Sequence, residues 1–140
     1  MYIKNNELSG QVISNAEMFD LAQRLLGSFK NRDWELLRSI ITGDCIWRLP
    51  GSTMISGVAF GAEAIVKRAT QVVEKGLNLE LLHILYGMNG FALSLHNQEK
   101  KGELIIDEYL TMTCILRGHM ISGINTYLSD IEGLDSFFHF

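Results

Sequence analysis

Asp107 and Glu108 are the residues of this 140-residue chain best placed for acid–base chemistry, because they stand side by side within a long β-prone run, Leu104 to Leu116. Neighbours in a strand point to opposite faces, so one of the two faces a core and the other faces away. The even positions read Leu104, Ile106, Glu108, Leu110, Met112, Cys114 and Leu116; the odd ones read Ile105, Asp107, Tyr109, Thr111, Thr113, Ile115 and Arg117. The even set is apolar apart from Glu108, which assigns Glu108 to the interior. A carboxyl group deprived of water keeps its proton to higher pH, toward the range in which it serves as a general acid or base. A bulge or a longer turn would exchange the faces and bring Asp107 inside instead.

The next turn supplies the partners. If Arg117-Gly118 is a two-residue turn, Leu116 lies opposite His119, and counting back sets Glu108 opposite Tyr127 and Leu110 opposite Asn125. The candidate catalytic set is then Glu108, Tyr127 and Asn125, with Glu108 moving a proton and the other two orienting or stabilising a carbonyl or hydroxyl oxygen. The competing structural reading has Glu108 paired with Arg48 or capped by Tyr127 as a satisfied group. His83 and His96 fall on the faces opposite the apolar ones of their strands, His119 sits at a turn and His139 lies in the terminal tail. These positions suit surface or interface roles, although a pKa near neutrality keeps each histidine eligible for catalysis.

Composition excludes several other classes. The net charge is −4, and Lys67-Arg68 and Lys100-Lys101 are the only adjacent basic pairs, so no nucleic-acid partner is expected. The first ten residues, MYIKNNELSG, carry no apolar signal core, and no apolar run is long enough to cross a bilayer. The expectation is a cytoplasmic protein without a membrane partner. Cys45 and Cys114, the only cysteines, read as two buried thiols of a reducing compartment. There is no C-x-x-C, no H-E-x-x-H, no local histidine–carboxylate cluster and no phosphate-binding loop, so neither a metal nor a cofactor is expected.

The elements that must position these residues follow from periodicity. Ser14 with Glu17 three residues on is a capping-box pattern, and Met18, Leu21, Ala22, Leu25 and Phe29 behind it recur at helical spacing. Asn31-Arg32-Asp33 breaks that helix and caps a shorter one carrying Trp34, Leu37 and Ile41, which Thr42-Gly43-Asp44 closes. A strand from Cys45 to Leu49 stops at Pro50-Gly51, and a short extended piece around Ile55 leads to a third helix. That helix starts at Gly61, buries Ile65, Ala69, Val72 and Val73, and stops at Gly76. From Leu77 the period becomes two. Strands are predicted from Leu79 to Tyr86, Phe91 to Asn97, Leu104 to Leu116 and His119 to Leu128, with turns at Asn89-Gly90, across Gln98 to Gly102, and at Arg117-Gly118. The sum is one α+β domain over residues 1–140, with an antiparallel sheet and three helices in its N-terminal half. The outer face with Ile105, Tyr109, Thr111, Thr113 and Ile115 favours a homodimer, and Phe137-Phe138-His139-Phe140 is expected to fold back onto the body.

Four stretches, in this order and spacing, resemble the nuclear transport factor 2-like superfamily, which includes ketosteroid isomerase and the SnoaL-like polyketide cyclases. They are Phe29 to Trp34, Gly43 to Gly51, Ile55-Ser56-Gly57 with Gly61, and Tyr127 to Asp130. The resemblance implies a cone-shaped bent sheet wrapped by helices around one pocket, commonly dimeric through the convex face. It also implies that Trp47 and Leu49 point into the cone, where with Phe91, Leu93 and Met112 they make an apolar ligand-binding wall. The ketosteroid isomerase triad is absent: its base position before the proline is Leu49, its tyrosine position is Leu25, and its second acid falls near Thr111 or Met112. The fold alone hosts many activities. The residues point to a cofactor-independent enzyme of isomerase, cyclase, dehydratase or hydrolase type acting on a small hydrophobic oxygenated molecule. The alternatives are a non-catalytic ligand-binding protein and an interaction module.

Overall fold

A computed structural model describes residues 13–76 and 78–138. The first ten residues, Leu77, His139 and Phe140, which figured in the expectations above, lie outside the described set. In chain order the elements are α1 (Asn15–Lys30), α2 (Trp34–Ile40), β1 (Ile41–Leu49), β2 (Gly57–Phe60), α3 (Ala62–Glu74), β3 (Leu79–Tyr86), β4 (Gly90–Lys101), β5 (Leu104–Arg117), β6 (Met120–Leu128) and α4 (Ile131–Phe137). The strands form one sheet in the order β2-β1-β6-β5-β4-β3. Four of its pairings are antiparallel, and β1 runs parallel to β6. The last strand therefore returns to the middle of the sheet and brings the chain's end beside its first strand.

The helices form where capping and periodicity place them. Ser14 Oγ accepts the Glu17 N–H and the Glu17 carboxylate accepts the Ser14 N–H, both at 3.1 Å, closing the capping box of α1. Met18, Leu21, Ala22 and Leu25 are buried on its inner face. In α3 the buried stripe is Ile65, Val66, Ala69 and Val72, and Gly76 at φ 83° ends the helix as expected. One charged residue joins this stripe. Arg68, 5% exposed, donates to the carbonyl oxygens of Trp47 (2.8 Å), Gly57 (3.1 Å) and Ser56 (3.3 Å). Its guanidinium carbon lies 5.2 Å from the centre of the Trp47 ring. Arg68 thus fastens α3 to β1 and to the loop before β2, and sets the orientation of the Trp47 backbone.

Three boundaries depart from the sequence reading, each for a physical reason. Ile41 opens β1 instead of closing α2, and the register of β1 against β6 shifts between Ile41 and Ile46, so Thr42-Gly43-Asp44 is an irregularity within a strand rather than a loop. Ile55 is a buried loop residue, and the extended piece lies later, at Gly57–Phe60. The β4–β5 turn tightens onto Gly102-Glu103, with Gly102 at φ 62°, so both strands run on to the pair Lys101 and Leu104. The chain also adds a helix that periodicity did not reveal. In α4 Asp130 Oδ1 accepts the Gly133 N–H at 2.9 Å, and Leu134, Phe137 and Phe138 are buried. The expectation that the terminal phenylalanines fold back holds for Phe137 and Phe138.

The β3–β4 hairpin forms where the sequence implies, but its turn residues are Met88 and Asn89: Tyr86 is opposite Phe91, the Gly87 N–H donates to the Gly90 carbonyl oxygen at 2.8 Å, and Gly90 opens β4. Gly90 also has no room for a side chain, since a Cβ would lie 2.3 Å from the Cys114 carbonyl oxygen. Gly90→Ala is therefore expected to destabilise the protein by about 2 kcal/mol. Gly43→Ala, where a Cβ meets nothing within 4 Å, should change stability by less than about 0.5 kcal/mol in the same urea-denaturation series.

Candidate active site

Glu108 is on the concave face, where the alternation placed it. It is 1% exposed, flanked on β5 by buried Ile106 and half-buried Leu110, and opposite Asn97 of β4, itself 1% exposed. Its Oε2 accepts the Asp130 N–H at 3.1 Å. Burial pushes the carboxyl pKa up to about 7, the Asp130 N–H pulls it down, and the Asp130 carboxylate adds a further upward push. At neutral pH the group is divided between its two protonation states, the condition under which a carboxyl can both give and take a proton.

The polar side chains around it differ from those inferred, because the register of β5 against β6 does. The turn residues are Gly118 and His119, so Arg117 pairs with Met120, and an irregularity between Ile115 and Leu116 leaves Ser122 as an extra residue in β6. The turn moves the pairing by two residues, which preserves faces; the bulge adds one more, which exchanges them. Tyr127 therefore pairs with Thr111 and Asn125 with Thr113 on the outer face, and Tyr127 is 60% exposed. Thr126 takes the inner position. Its Oγ1 accepts the Trp47 indole N–H at 2.9 Å, which leaves the hydroxyl hydrogen available to a ligand oxygen. Asn97 is held in turn by the Asn78 N–H, which donates to its Oδ1 at 3.1 Å.

Glu108, Asn97 and Thr126 line one enclosed cavity of about 40 Å³ with Phe29, Trp47, Leu49, Ile55, Val72, Leu79, Leu110, Met112, Leu128 and Leu134. That space holds about three waters. Of the inferred apolar wall, Trp47, Leu49 and Met112 are present, whereas Phe91 and Leu93 are packed in the core farther along β4 and do not reach the cavity. Leu134 closes the cavity from α4. That helix is tied to the loop after β1, since the Asp135 carboxylate accepts the Ser52 N–H (3.1 Å) and the Ser52 hydroxyl (2.9 Å).

The reserve and competing assignments fall on the other side of the sheet. Asp107 is exposed and its Oδ1 meets His96 Nε2 at 2.5 Å, while the His96 ring stacks on Tyr109 at 4.6 Å. Arg48 is exposed on the outer face and pairs with Val58 and Asn125, so it does not neutralise Glu108. His83 is exposed, and His119 faces Glu17 at 3.1 Å. No group of three or more metal-binding side chains occurs among the described residues. Asn97 continues the series Phe91, Leu93, Leu95 at period two, a signal that could have placed it inside. Thr126 carries no comparable signal, because the bulge alone decides its face.

No model of a known protein family matches the chain, and no curated protein matches it. Solved structures do. Bal32a, from a soil-derived mobile gene cassette, superposes with a TM-score of 0.82 at 18% identity, over 89% of this chain and 98% of that one. An NTF2-like protein from Burkholderia xenovorans LB400 gives 0.75 at 14% identity, over 90% and 98%. A protein described as a SnoaL-like polyketide cyclase from Jannaschia sp. CCS1 gives 0.74 at 9% identity, over 93% and 99%. The chain has the nuclear transport factor 2-like fold. No helix among the described residues is long and apolar enough to cross a membrane.

The titration of Glu108 has a measurable sign. The unfolded chain releases this proton near pH 4.5, whereas the folded protein keeps it to about pH 7. The stability it confers is therefore complete below about pH 4.5 and is lost as the pH rises to 7, on the order of 3 kcal/mol. Glu108→Gln is expected to remove that decline, as read from urea midpoints of both proteins between pH 4 and 8.

Proposed function

We propose that the protein is a cofactor-independent enzyme that transfers a proton within a small hydrophobic oxygenated molecule, in a reaction of the isomerase, cyclase, dehydratase or hydrolase type. The observation that carries this reading is Glu108, a carboxyl group held at a pKa of about 7 on the wall of an otherwise apolar cavity. Ionised, it removes a proton from a carbon or hydroxyl beside it; protonated, it returns one. Developing charge on a substrate oxygen is met by the Thr126 hydroxyl and the Asn97 amide, which take the roles the sequence suggested for Tyr127 and Asn125. The fold is shared with a structure described as a SnoaL-like polyketide cyclase, which supports an enzyme at the level of fold only. Two buried free thiols, Cys45 and Cys114, suit a reducing cytoplasm.

The small volume of the cavity favours a second reading, a non-catalytic ligand carrier or interaction module. The two are separated by Glu108→Gln. In an enzyme, kcat is expected to fall by about 10²-fold or more with ligand affinity within a few-fold of wild type, and the wild-type pH profile to bend near 7. A carrier would keep its ligand affinity and show no turnover in either form.

The outer sheet face carries Val58, Phe60, Tyr109, Ile115 and Tyr127, all exposed. Apolar side chains gathered on a sheet face support a homodimer built through it. Sedimentation at micromolar concentration should give twice the chain mass of 15.8 kDa, and Phe60→Asp with Tyr127→Asp should give the monomer without loss of fold. A monomeric wild type would remove the dimer and leave the active-site reading intact.

A further inference from the structure

We propose that the cleft between α1, α3 and β3 is the entrance and outer half of the ligand site, kept open by Gly27 for an apolar molecule with an oxygen-bearing outer end. The inference rests on reading the Glu108 cavity as a ligand pocket and extends it outward.

The cleft encloses about 460 Å³, within the range of small-molecule sites, which the inner cavity alone does not reach. Leu26, Val73 and Leu81 give it apolar sides, with Gln23, Lys30 and Asn78 as its polar groups. Phe29, Val72 and Leu79 line the cleft and the Glu108 cavity alike, so these three side chains are the partition between them. Phe29 is half-buried and meets Trp34 and Trp47 edge-on, at 6.3 and 5.9 Å between ring centres. In this proposal the two spaces join when the Phe29 ring turns.

Gly27 is the independent observation. It lies inside α1, where glycine is disfavoured relative to alanine because it surrenders more backbone freedom. Neither usual reason for a glycine applies. Its φ is not positive, and a Cβ built on it meets nothing within 4 Å. It lines the cleft, so a side chain there would fill space that is otherwise open. Helix stability is given up where a ligand would need room, the pattern of a binding site rather than of packing. Lys30, three residues further along α1, stands on the same side of the helix and supplies a cation for the outer end of the ligand.

The test uses 2-naphthoate and the full ¹⁵N-labelled chain, followed by amide NMR shifts. Saturable shifts are expected at Gly27, Val73 and Asn78. In Gly27→Leu the affinity should fall about tenfold or more, while the urea midpoint equals or exceeds that of the wild type. Gly27→Ala, the milder change, should raise the midpoint and weaken binding by a smaller factor, which keeps the test decisive if the leucine variant does not fold. Absence of binding, shifts confined to the outer sheet face, or unaltered affinity in the folded variants would overturn the proposal. The cleft is read by binding of 2-naphthoate and the catalytic reading by turnover, so a failure of one is distinguishable from a failure of the other.

Discussion

The desolvation of one carboxyl group organises the functional half of this molecule. Placing Glu108 on a concave sheet face costs the hydration of its charge, and the structure offsets only part of that cost, through the Asp130 N–H at 3.1 Å. Among the described residues no cation is seen beside it: Arg48, the partner the sequence suggested, is on the other face of the sheet. The result is an acid poised near neutrality. A fully satisfied carboxylate would have been inert, and a solvated one would have been an ordinary carboxylate, ionised at neutral pH.

The surrounding architecture fixes that environment from three directions. Strand β4 sets Asn97 opposite Glu108, while β6 delivers Thr126, and with it the hydrogen bond that orients the Trp47 indole. The C-terminal helix α4 begins at the residue whose N–H reaches Glu108 and closes the cavity with Leu134. Asp135 holds that helix to Ser52 across the chain, and Arg68 of α3 donates to carbonyl oxygens of β1 (Trp47), the loop (Ser56) and the start of β2 (Gly57). These hydrogen bonds from α3 and α4 hold the loop after β1 as part of the wall.

The two faces of the sheet have separate chemistries because of the strict two-residue period. Inside, a continuous apolar surface is interrupted by a few polar groups that have partners. Outside, exposed aromatic and branched side chains lie beside the hydrogen-bonded His96 and Asp107. A single-residue insertion in any strand would exchange these sets. The bulge in β6 does so locally, which is why its two inferred polar groups and the intervening threonine trade places.

The sequence by itself determined the first three helices, the existence of the β3–β4 hairpin, the α+β order and the inward position of Glu108, since these depend on interactions between residues near in the chain or on unbroken periodicity. Capping at Ser14 and the alternation along β5 are local facts, and they are legible as such. Tertiary structure decided the rest. The face of Tyr127 depends on a bulge set by how β6 fits between β1 and β5. Burial of Arg68 depends on the three carbonyls of Trp47, Ser56 and Gly57, and α4 covers a side of the core with Leu134, Phe137 and Phe138. Those features arise from contacts between segments far apart in the chain, and hydropathy read along a single strand carries no record of them.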